Sequence, residues 1–343
     1  MDNTKKKFVS IVIPCRNEEN YIEKCIDSMA SQSYGIENIE VLVCDGMSTD
    51  RTQEIVNNYS KNEPNIKLVI NEKKVAPSAM NLGIKQAKGE IIIIFGAHAY
   101  MDKDYVKYCV EKLSDDNVAV VGGRIINISE NNLSEAISLA MGSPFGVGNA
   151  LFRYSDKEEF VDTVAFGAYK KEVFDKIGLF DEEFVRNQDD ELNFRVSKAG
   201  FKMLLAPCIE SHYYTRGSLS KLWRQYYQYG FWKVRVIQKH KKPASIRHLI
   251  PLIFVCGVIL GGVASIFSSI LRVMYFGVLG LYALLAGVYA VKACNKKYKH
   301  IPRIMLCFLI LHGSYGLGFL EGIYTFHISK NYDRINKNTK MSR

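Results

Sequence analysis

The chain has 343 residues, which at roughly 150 residues per domain gives about two domains and excludes a single small module. Its hydrophobic fraction of 48% and aromatic fraction of 12% exclude a disordered chain, because such chains are poor in apolar and aromatic residues. The net charge of +10 suits anionic partners such as phosphates, acidic lipid headgroups or nucleic acid.

The cysteines and the N-terminal region indicate a reducing compartment. Eight cysteines are scattered without a C-x-x-C pair or the regular spacing of a zinc or disulfide framework. The apolar run Phe8–Ile13 is too short for a signal-peptide core, and Pro14, Arg16 and Glu18 follow it at once. We therefore expect reduced thiols, on the cytosol side or buried in a membrane, and an N-terminal half that is not exported.

The first 215 residues alternate strand and helix patterns. Buried strands that alternate with helices are typical of an α/β fold with a parallel sheet covered on both faces. In such sheets, ligands bind beyond the carboxyl ends of the strands. The strand patterns are Phe8–Ile13, Ile39–Cys44, Ile66–Ile70 and Ile91–Phe95, with helical spacing after the first strand, at about 50–60 and at 76–88.

Residues suited to ligand binding follow three of these strands. A carboxylate such as Asp45 can accept the N–H of a nucleobase, and the rigid ring of Pro14 can hold the backbone against a planar ligand. Thr49 or Asp50 equally suits the N-cap of the next helix. The residues are Pro14, Arg16, Asn17 and Glu18 after the first strand, Asp45, Gly46 and Ser48 to Asp50 after the second, and Gly96 to His98 after the fourth.

Two common nucleotide-binding motifs are missing from the sequence. No G-x-G-x-x-G follows the first strand, and G-x-x-x-x-G-K-[ST] occurs nowhere. Dinucleotide-dependent dehydrogenases and P-loop NTPases are therefore poor interpretations.

The remaining motifs form a set. They are F-V-S-I-V-I-P-C-R-N-E-E-N at 8–20, V-L-V-C-D-G-M-S-T-D-R-T at 41–52, A-P-S-A-M-N-L-G at 76–83, G-A-H-A at 96–99, V-D-T-V-A-F-G-A-Y-K-K-E-V-F at 161–174 and R-N-Q-D-D-E-L-N-F-R at 186–195. With them, the chain over about residues 8–235 resembles inverting family 2 glycosyltransferases of the GT-A fold, which is Rossmann-like with a mostly parallel sheet. The closest subgroup resembles bacterial succinoglycan-type exopolysaccharide glucosyltransferases with C-terminal membrane helices. The set is specific for the family and much less so for the sugar.

This resemblance implies a site for a UDP-sugar donor. Stabilising the diphosphate leaving group requires cationic groups, which a metal and an arginine can share, and Arg16 and Arg216 are the candidates. The residues that match positions holding uracil and ribose are Pro14, Asn17, Glu18 and Asp45.

The implied metal site departs from the family pattern. Gly96-Ala97-His98 falls on the Asp-x-Asp signature that binds ribose and a divalent cation, so Gly96 lacks the first carboxylate and His98 replaces the second. Imidazole can bind Mn²⁺ or Mg²⁺, although it favours softer ions than carboxylate does. The alternative for His98 is a hydrogen-bonded histidine at a strand end.

Asp189 aligns with the general base of the family. The acceptor hydroxyl must lose a proton as it attacks the anomeric carbon from the face opposite UDP, and a carboxylate within hydrogen-bond reach can take that proton. Asp189, Asp190 and Glu191 begin a helical pattern, so a charge cluster favoured by the helix dipole is the alternative interpretation. Asp190 is the nearest substitute for the base.

The segment Ser218–His240 mixes aromatic and basic residues, which suits either the headgroup zone of a membrane or packing on the soluble domain. Processive synthases of the family carry Q-x-x-R-W on such a helix. The run Gln225–Tyr229 departs from it, which favours transfer of one sugar per acceptor.

Three apolar runs predict membrane spans at 249–271, 273–291 and 304–328, and buried core helices are the alternative. Arg272 separates the first two, and Glu321 with several glycines weakens the third. The runs 233–247 and 292–303 are rich in Lys and Arg, so the positive-inside bias places both in the cytoplasm, with an outer turn near Ser268–Arg272. The tail at 329–343 is also basic, so a third run broken at Gly313–Gly318 that re-enters the membrane stays open.

We therefore expect a GT-A domain at 1–217, an interfacial amphipathic segment at 218–248, a transmembrane region at 249–328 and a basic tail. The predicted protein lies in the cell membrane with a cytoplasmic catalytic domain. It moves a sugar from a UDP-sugar to a polyprenyl-diphosphate-linked saccharide in exopolysaccharide or capsule biosynthesis, using Mn²⁺ or Mg²⁺. The basic residues cluster beside the spans, so membrane lipid rather than nucleic acid accounts for the charge. The rivals are a nucleotidyltransferase on a similar sheet and, because Gly96 lacks a carboxylate, a catalytically inactive membrane scaffold.

Overall fold

The computed structural model describes residues 6–215, 217–242, 246–329, 335, 338 and 339, which belong to two compact units. The first unit consists of the chain up to Asn127 together with Leu151–Tyr214, and the second of Ile128–Ala150 with the chain after Tyr214. The stretch Ile128–Ala150, which the sequence places inside the domain at 1–217, therefore belongs to the unit that contains the apolar helices.

Strands and helices alternate through the first unit, as the sequence predicts. The strands found in the described residues are β1 Val9–Cys15, β2 Ile39–Asp45, β3 Ile66–Ile70, β4 Ile91–Ile94, β5 Ala99–Met101, β6 Val120–Ile128, β7 Glu159–Val161, β8 Ala168–Lys170 and β9 Met203–Tyr214. The α-helices are α1 Ile22–Ala30, α2 Thr52–Asn62, α3 Ala76–Gln86, α4 Tyr105–Lys112, α5 Asn132–Met141, α6 Pro144–Val147, α7 Lys171–Ile177, α8 Gln188–Lys198, α9 Leu219–His240, α10 Ile250–Phe267, α11 Ser269–Ala293 and α12 Ile301–Ile323.

The strands form one mixed sheet in the order β3-β2-β1-β4-β8-β6-β9-β5, and β7 also pairs with β9. The neighbours among β1 to β4 are parallel, because a helix (α1, α2 or α3) lies in each connection between them and allows the crossover that parallel pairing needs. The pairs β4–β8, β6–β8, β5–β9 and β7–β9 are antiparallel. The predicted parallel arrangement is thus confined to the N-terminal half of a GT-A-like sheet.

Both faces of the parallel half are covered. One face of β1 packs against the apolar side of α1, whose buried residues Ile22, Cys25, Ile26 and Met29 recur at helical spacing. On the other face, Val12 belongs to the cluster that α3 contributes to through Met80. This two-sided burial is the reason that these strands read as continuous apolar runs in the sequence.

In the second unit, α9 packs along α12. Phe231 and Trp232 of α9 are buried, and the indole Nε1 of Trp232 donates to the carbonyl of Asn338 at 3.1 Å. A Cβ at Gly318 of α12 would lie 2.0 Å from the carbonyl oxygen of Tyr227, so glycine is needed for this approach. The sequence left headgroup contact and packing on the soluble domain open for this helix, whereas the structure shows packing on the third apolar segment.

Three helical segments of the described chain are long and apolar enough to cross a membrane, namely Ile250–Phe267, Ser269–Ala293 and Tyr298–Ser329. The third contains α12, which runs unbroken through Gly313–Gly318, so no re-entrant break occurs there.

The turn between the first two spans falls within the predicted range Ser268–Arg272. It lies at Ser268, whose extended backbone ends α10 and whose side chain caps α11. Arg272, predicted to separate the spans, instead lies in the first turn of α11. Its Nε donates to the carbonyl of Ser265 at 3.1 Å, so the charge pairs with an open carbonyl at the C-terminus of α10.

The helices α5 and α6 pack on α11 and α12, which the sequence did not predict. Phe145 of α6 stacks on Tyr289 with 5.1 Å between ring centroids. The ring of His312 in α12 links α6 to α11. Its Nε2 lies 2.8 Å from the carbonyl oxygen of Phe145 in α6, and its Nδ1 lies 2.9 Å from the hydroxyl of Tyr282 in α11.

Charged groups fix the N-terminal end of α5 to the segment before α12. Glu135 forms an ion pair with Lys297, and its Oε2 lies 3.0 Å from Nε2 of the fully buried His300. The hydrogen bond from Lys297 lowers the pKa of Glu135. Basic residues that the sequence assigned to membrane flanking therefore also hold α5.

Candidate active site

The loops that follow β1 and β2 are bonded to each other. Asn17 has a left-handed backbone (φ 55°), and its side-chain oxygen accepts the N–H of Thr49 at 2.9 Å. Its own N–H donates to the hydroxyl of Ser48 at 2.8 Å. Asn and Asp tolerate this conformation better than other non-glycine residues, so Asn17 suits the turn. The predicted donor residue Asn17 is thus part of the scaffold that joins the two strand ends.

Asp45 is completely buried at the end of β2, opposite Cys15 in the parallel ladder. Its Oδ2 accepts the N–H of Ser48 at 2.9 Å and Nε2 of Gln53 at 2.6 Å. Its Oδ1 accepts the hydroxyl of Ser48 and the thiol of Cys15, whose Sγ lies 3.7 Å away. Burial, followed by the charge of Asp45, raises the pKa of Cys15, so this residue is a neutral thiol donor.

This network orients the Asp45 carboxylate firmly. A nucleobase N–H that binds it must share or replace one of these donors, and the side chain of Gln53 can rotate away more easily than the backbone amide of Ser48. Gln53 is a component of the site that sequence reasoning missed, because nothing in the spacing of eight residues marks it. The N-cap of α2 is Arg51 rather than Thr49 or Asp50, although Oδ1 of Asp50 accepts the N–H of Thr52, the first residue of α2, at 3.0 Å.

The end of β1 also meets the segment between β4 and β5. Oε1 of Glu18 lies 3.4 Å from Nδ1 of His98, and the ring of His98 stands edge-on to Tyr213 of β9 with centroids 5.1 Å apart. Glu18 and Asp45 both act on the pKa of Cys15, which lies at the end of β1. Glu18, Asp45 and His98, predicted from three separate strand ends, are therefore brought to one edge of the sheet.

Phe166 closes the space beside Gly96. A Cβ on Gly96 would lie 2.9 Å from Cε1 of Phe166, a separation that real Cβ contacts do not show. Phe166 has a left-handed backbone (φ 49°), its ring packs on Phe95 with centroids 4.5 Å apart, and its carbonyl accepts the hydroxyl of Tyr105 at 2.6 Å. The missing carboxylate at position 96 therefore coincides with a space that another side chain fills.

The other predicted donor residues are less fully defined by their contacts. Pro14 is half-buried and lies opposite Cys44 in the β1–β2 ladder. The Cδ of Arg16 lies 3.4 Å from the position of a Cβ on Gly46, so the arginine covers the turn after β2. Arg216 lies outside the residues that the structure describes.

Asp189 and Asp190 lie in the first turn of α8, as the sequence predicts. Asp189 is exposed, and its Oδ1 accepts the N–H of Asp190 at 3.0 Å. Burial, with a further contribution from the charge of Asp189, raises the pKa of Tyr169. The left-handed residue Asn187 (φ 58°) directs the chain into this helix.

A buried ion pair anchors α8 behind these two carboxylates. Glu191 is almost fully buried, and its Oε2 accepts a hydrogen bond from Nη2 of Arg195 at 2.7 Å. Arg195 also donates to the carbonyls of Ile177 at 2.7 Å and Leu179 at 2.8 Å. The third acidic residue of the cluster is therefore structural, and it fixes the start of α8 relative to the turn after α7.

Within the described ranges, no group of three or more His, Cys, Asp or Glu side chains converges as a metal site. Glu18 and His98 supply two donors, one carboxylate and one imidazole. Mg²⁺ and Mn²⁺ prefer about six ligands, mostly oxygen, so this pair fits such an ion when a ligand supplies further oxygens.

Comparison with known proteins agrees with this arrangement. Residues 10–178 match the model of the family described as glycosyl transferase family 2. A protein of Methanococcus voltae is 41% identical over 240 residues, which are 68% of this chain and 74% of that protein. The chain belongs to glycosyltransferase family 2. The relative is named dolichyl N-acetyl-alpha-D-glucosaminyl phosphate 3-beta-D-2,3-diacetamido-2,3-dideoxy-beta-D-glucuronosyltransferase.

Two further similarities extend over nearly the whole glycosyltransferase. Succinoglycan biosynthesis protein ExoA of Rhizobium meliloti (strain 1021) is 26% identical over 322 residues, 92% of this chain and 95% of that protein. The solved structure of mannosyltransferase PcManGT from Pyrobaculum calidifontis, in complex with GDP-Man and Mn²⁺, has a TM-score of 0.63 at 18% identity and covers 94% of this chain and 89% of that one. The GT-A fold is confirmed, and the nucleotidyltransferase interpretation is replaced by that of a glycosyltransferase.

Proposed function

We propose that this glycosyltransferase is anchored in a membrane and transfers one sugar from a UDP-sugar to a lipid-linked saccharide with inversion at the anomeric carbon. The observation that carries the proposal is the meeting of Glu18 with His98 beside the buried Asp45, at the carboxyl ends of β1, β4 and β2. This is the edge at which open α/β sheets bind ligands.

The donor half of the site would use the strand-end loops. Asp45 would accept the N–H of uracil, because a carboxylate held by fixed donors is already oriented for it. Pro14 and Asn17 would shape the wall around the uracil and ribose, and Arg16 would supply positive charge for the diphosphate; the same role for Arg216 stays a prediction from the sequence. A divalent cation at His98 would neutralise the charge that develops on the diphosphate as it leaves.

The acceptor half would depend on Asp189. The acceptor hydroxyl would donate its proton to this exposed carboxylate while its oxygen bonds to the anomeric carbon and the bond to the UDP oxygen breaks. Attack from the face opposite UDP inverts the configuration. Asp190 would take the same proton if the acceptor is bound one helix position further along.

The apolar helices would hold the enzyme beside its acceptor. Two relatives support a lipid-linked or polysaccharide-type acceptor, since one is named for dolichyl N-acetylglucosaminyl phosphate and the other for succinoglycan biosynthesis. We propose a polyprenyl-diphosphate-linked saccharide as acceptor in exopolysaccharide or capsule assembly. We also propose that the catalytic unit faces the cytoplasm from the cell membrane, because the lysine-rich runs flank the spans on that side.

The test uses the full chain in lipid nanodiscs with a panel of UDP-sugars and GDP-mannose as the non-uridine control. We expect one UDP-sugar to be consumed in the presence of a polyprenyl-linked saccharide, with an inverted linkage by NMR of the product. Preferential use of GDP-mannose would contradict the assignment of uracil as the nucleobase of the donor. Binding of a nucleotide-sugar without turnover on any lipid-linked acceptor would favour the catalytically inactive scaffold.

A further inference from the structure

Glu18 and His98 come from different loops, yet their side chains face each other. Oε1 of Glu18 lies 3.4 Å from Nδ1 of His98, and the two side chains are 14% and 24% exposed. Neighbouring ligands of an octahedral cation with bonds of about 2.1 Å lie about 3 Å apart. The separation of the two donor atoms is therefore close to that of adjacent ligands on one ion.

No acidic side chain at position 96 can complete this pair. A Cβ there would lie 2.9 Å from Cε1 of Phe166, whose ring packs on Phe95 and whose backbone carbonyl accepts the hydroxyl of Tyr105. The carboxylate that faces His98 comes instead from the loop after β1, as Glu18.

We propose that Glu18 is the second protein ligand of the divalent cation, beside His98, and this inference rests on the proposed donor site. The carboxylate offsets the preference of imidazole for softer ions, so that Mn²⁺ or Mg²⁺ can bind. Two protein donors leave most of an octahedral shell open, and no third His, Cys, Asp or Glu joins them in the described chain. Phosphate oxygens of the nucleotide would supply further ligands, so we expect the ion to bind tightly only when UDP is present.

The experiment measures Mn²⁺ binding rather than turnover. The full chain in detergent is stripped with EDTA, and free Mn²⁺ is titrated by electron paramagnetic resonance with no nucleotide, with UMP and with UDP. UDP affinity is measured separately in EDTA by calorimetry. The variants are Glu18→Gln, Glu18→Asp and His98→Gln, and the matched control is Glu19→Gln, because Glu19 is an exposed neighbour whose carboxylate accepts the N–H of Arg51 at 3.1 Å.

We expect wild type to bind Mn²⁺ at least about tenfold more tightly with UDP than with UMP or alone, since the β-phosphate adds ligands. Glu18→Gln and His98→Gln should each weaken Mn²⁺ binding with UDP by roughly 10–100-fold, the range seen for lost supporting groups at metal sites. Glu18→Asp should lose less, and Glu19→Gln should match wild type. The inference moves Glu18 from the uracil and ribose contacts that the family resemblance implies to the cation, so UDP affinity in EDTA should change less than about threefold in all four variants. Pulsed electron paramagnetic resonance on wild type should show coupling of Mn²⁺ to an imidazole nitrogen, and this coupling should be absent in His98→Gln.

Unchanged Mn²⁺ affinity in Glu18→Gln overturns the inference, and so does a wild type that binds Mn²⁺ equally well without UDP. A Glu18→Gln variant that loses UDP affinity in EDTA and keeps its Mn²⁺ affinity makes Glu18 a nucleotide contact instead. If wild type binds UDP in EDTA but no Mn²⁺, the inference fails while the donor site stands. If wild type binds UDP neither with Mn²⁺ nor in EDTA, the inference and the proposed donor site both fail.

Discussion

The ring of Phe166 occupies the space into which any side chain at Gly96 would project, with Cε1 2.9 Å from the position of a Cβ. The two residues lie far apart in sequence and meet because β4 pairs with β8, whose first residue follows Phe166 closely. The departure of this chain from an acidic residue at position 96 is therefore built into its packing.

This relationship predicts a specific coupling. Gly96→Ala should destabilise the protein by about 1–3 kcal/mol, because the new methyl group overpacks against the Phe166 ring, which packs on Phe95. In a Phe166→Ala background the same change should cost little. A double-mutant cycle by urea unfolding measures the difference, and an equal cost in both backgrounds would show that the ring moves aside freely.

Asp189→Asn should lower the transfer rate by about 10²–10⁴-fold, because the acceptor proton loses its base. UDP affinity should stay within a few-fold, since the base acts on the acceptor. Asp190→Asn is the matched control one residue along the same helical turn, and we expect it to retain most activity. If the two variants exchange these behaviours, Asp190 is the base. Single-turnover assays with saturating donor separate the chemical step from binding.

Asp45→Ala should weaken UDP binding by about 1–3 kcal/mol, because a buried N–H of the uracil ring would lose its acceptor. It should also lower stability, because it leaves the N–H of Ser48 and the amide of Gln53 without their acceptor. Gln53→Ala removes only one of these donors and keeps the carboxylate, so it should bind UDP at least as well as wild type. Unchanged calorimetric affinity in a folded Asp45→Ala protein would reduce Asp45 to a turn residue.

Glu40 predicts how stability depends on pH. It is 1% exposed and accepts the hydroxyl of Ser10 at 2.7 Å and the ammonium of Lys67 at 3.2 Å. Burial alone would raise the pKa of Glu40. The hydrogen bond from the amide of Lys88, together with those from Ser10 and Lys67, holds the pKa below its ordinary value.

A lowered pKa in the folded state gives stability that is complete above the unfolded value of about 4.3 and is lost as the pH falls through the folded pKa. Glu40→Ala should cost about 1.5–3 kcal/mol at pH 7. As the pH is lowered below about 5, the unfolding free energy of Glu40→Ala should fall less steeply than that of wild type. Parallel pH profiles of the two proteins would argue against an ionised Glu40 in the folded state.

Gly318 and Gly313 offer a matched pair on one helix. A Cβ at Gly318 would lie 2.0 Å from the carbonyl oxygen of Tyr227, whereas nothing lies within 4 Å of a Cβ at Gly313. Gly318→Ala should therefore separate α9 from α12 and lower the thermal midpoint. Gly313→Ala should be neutral or stabilising by up to about 1 kcal/mol from helix propensity. Equal midpoints of the two variants in detergent would contradict the close approach.

The local pattern of the sequence determined the strands, the first helices and the three apolar segments. Burial on both faces leaves β1 and β2 as unbroken apolar runs, and α1 shows its buried side at Ile22, Cys25, Ile26 and Met29. The motifs placed Glu18, Asp45 and His98 at strand ends, because the carboxyl ends of parallel strands share one edge. These features depend on short-range periodicity, which a single sequence records.

Tertiary structure decided what depends on pairing between distant segments. The sequence could not show that Phe166 fills the space at Gly96, that Gln53 holds Asp45, or that Glu18 faces His98. It also could not show that α5 and α6 pack on the apolar helices, since these contacts join segments far apart in the chain. Apart from Gln53 and Asp45, which are eight residues apart and meet in the connection between β2 and α2, these contacts join residues tens to more than a hundred positions apart. They are fixed by the strand order and by how the helices pack, and neither leaves a periodic trace in the chain.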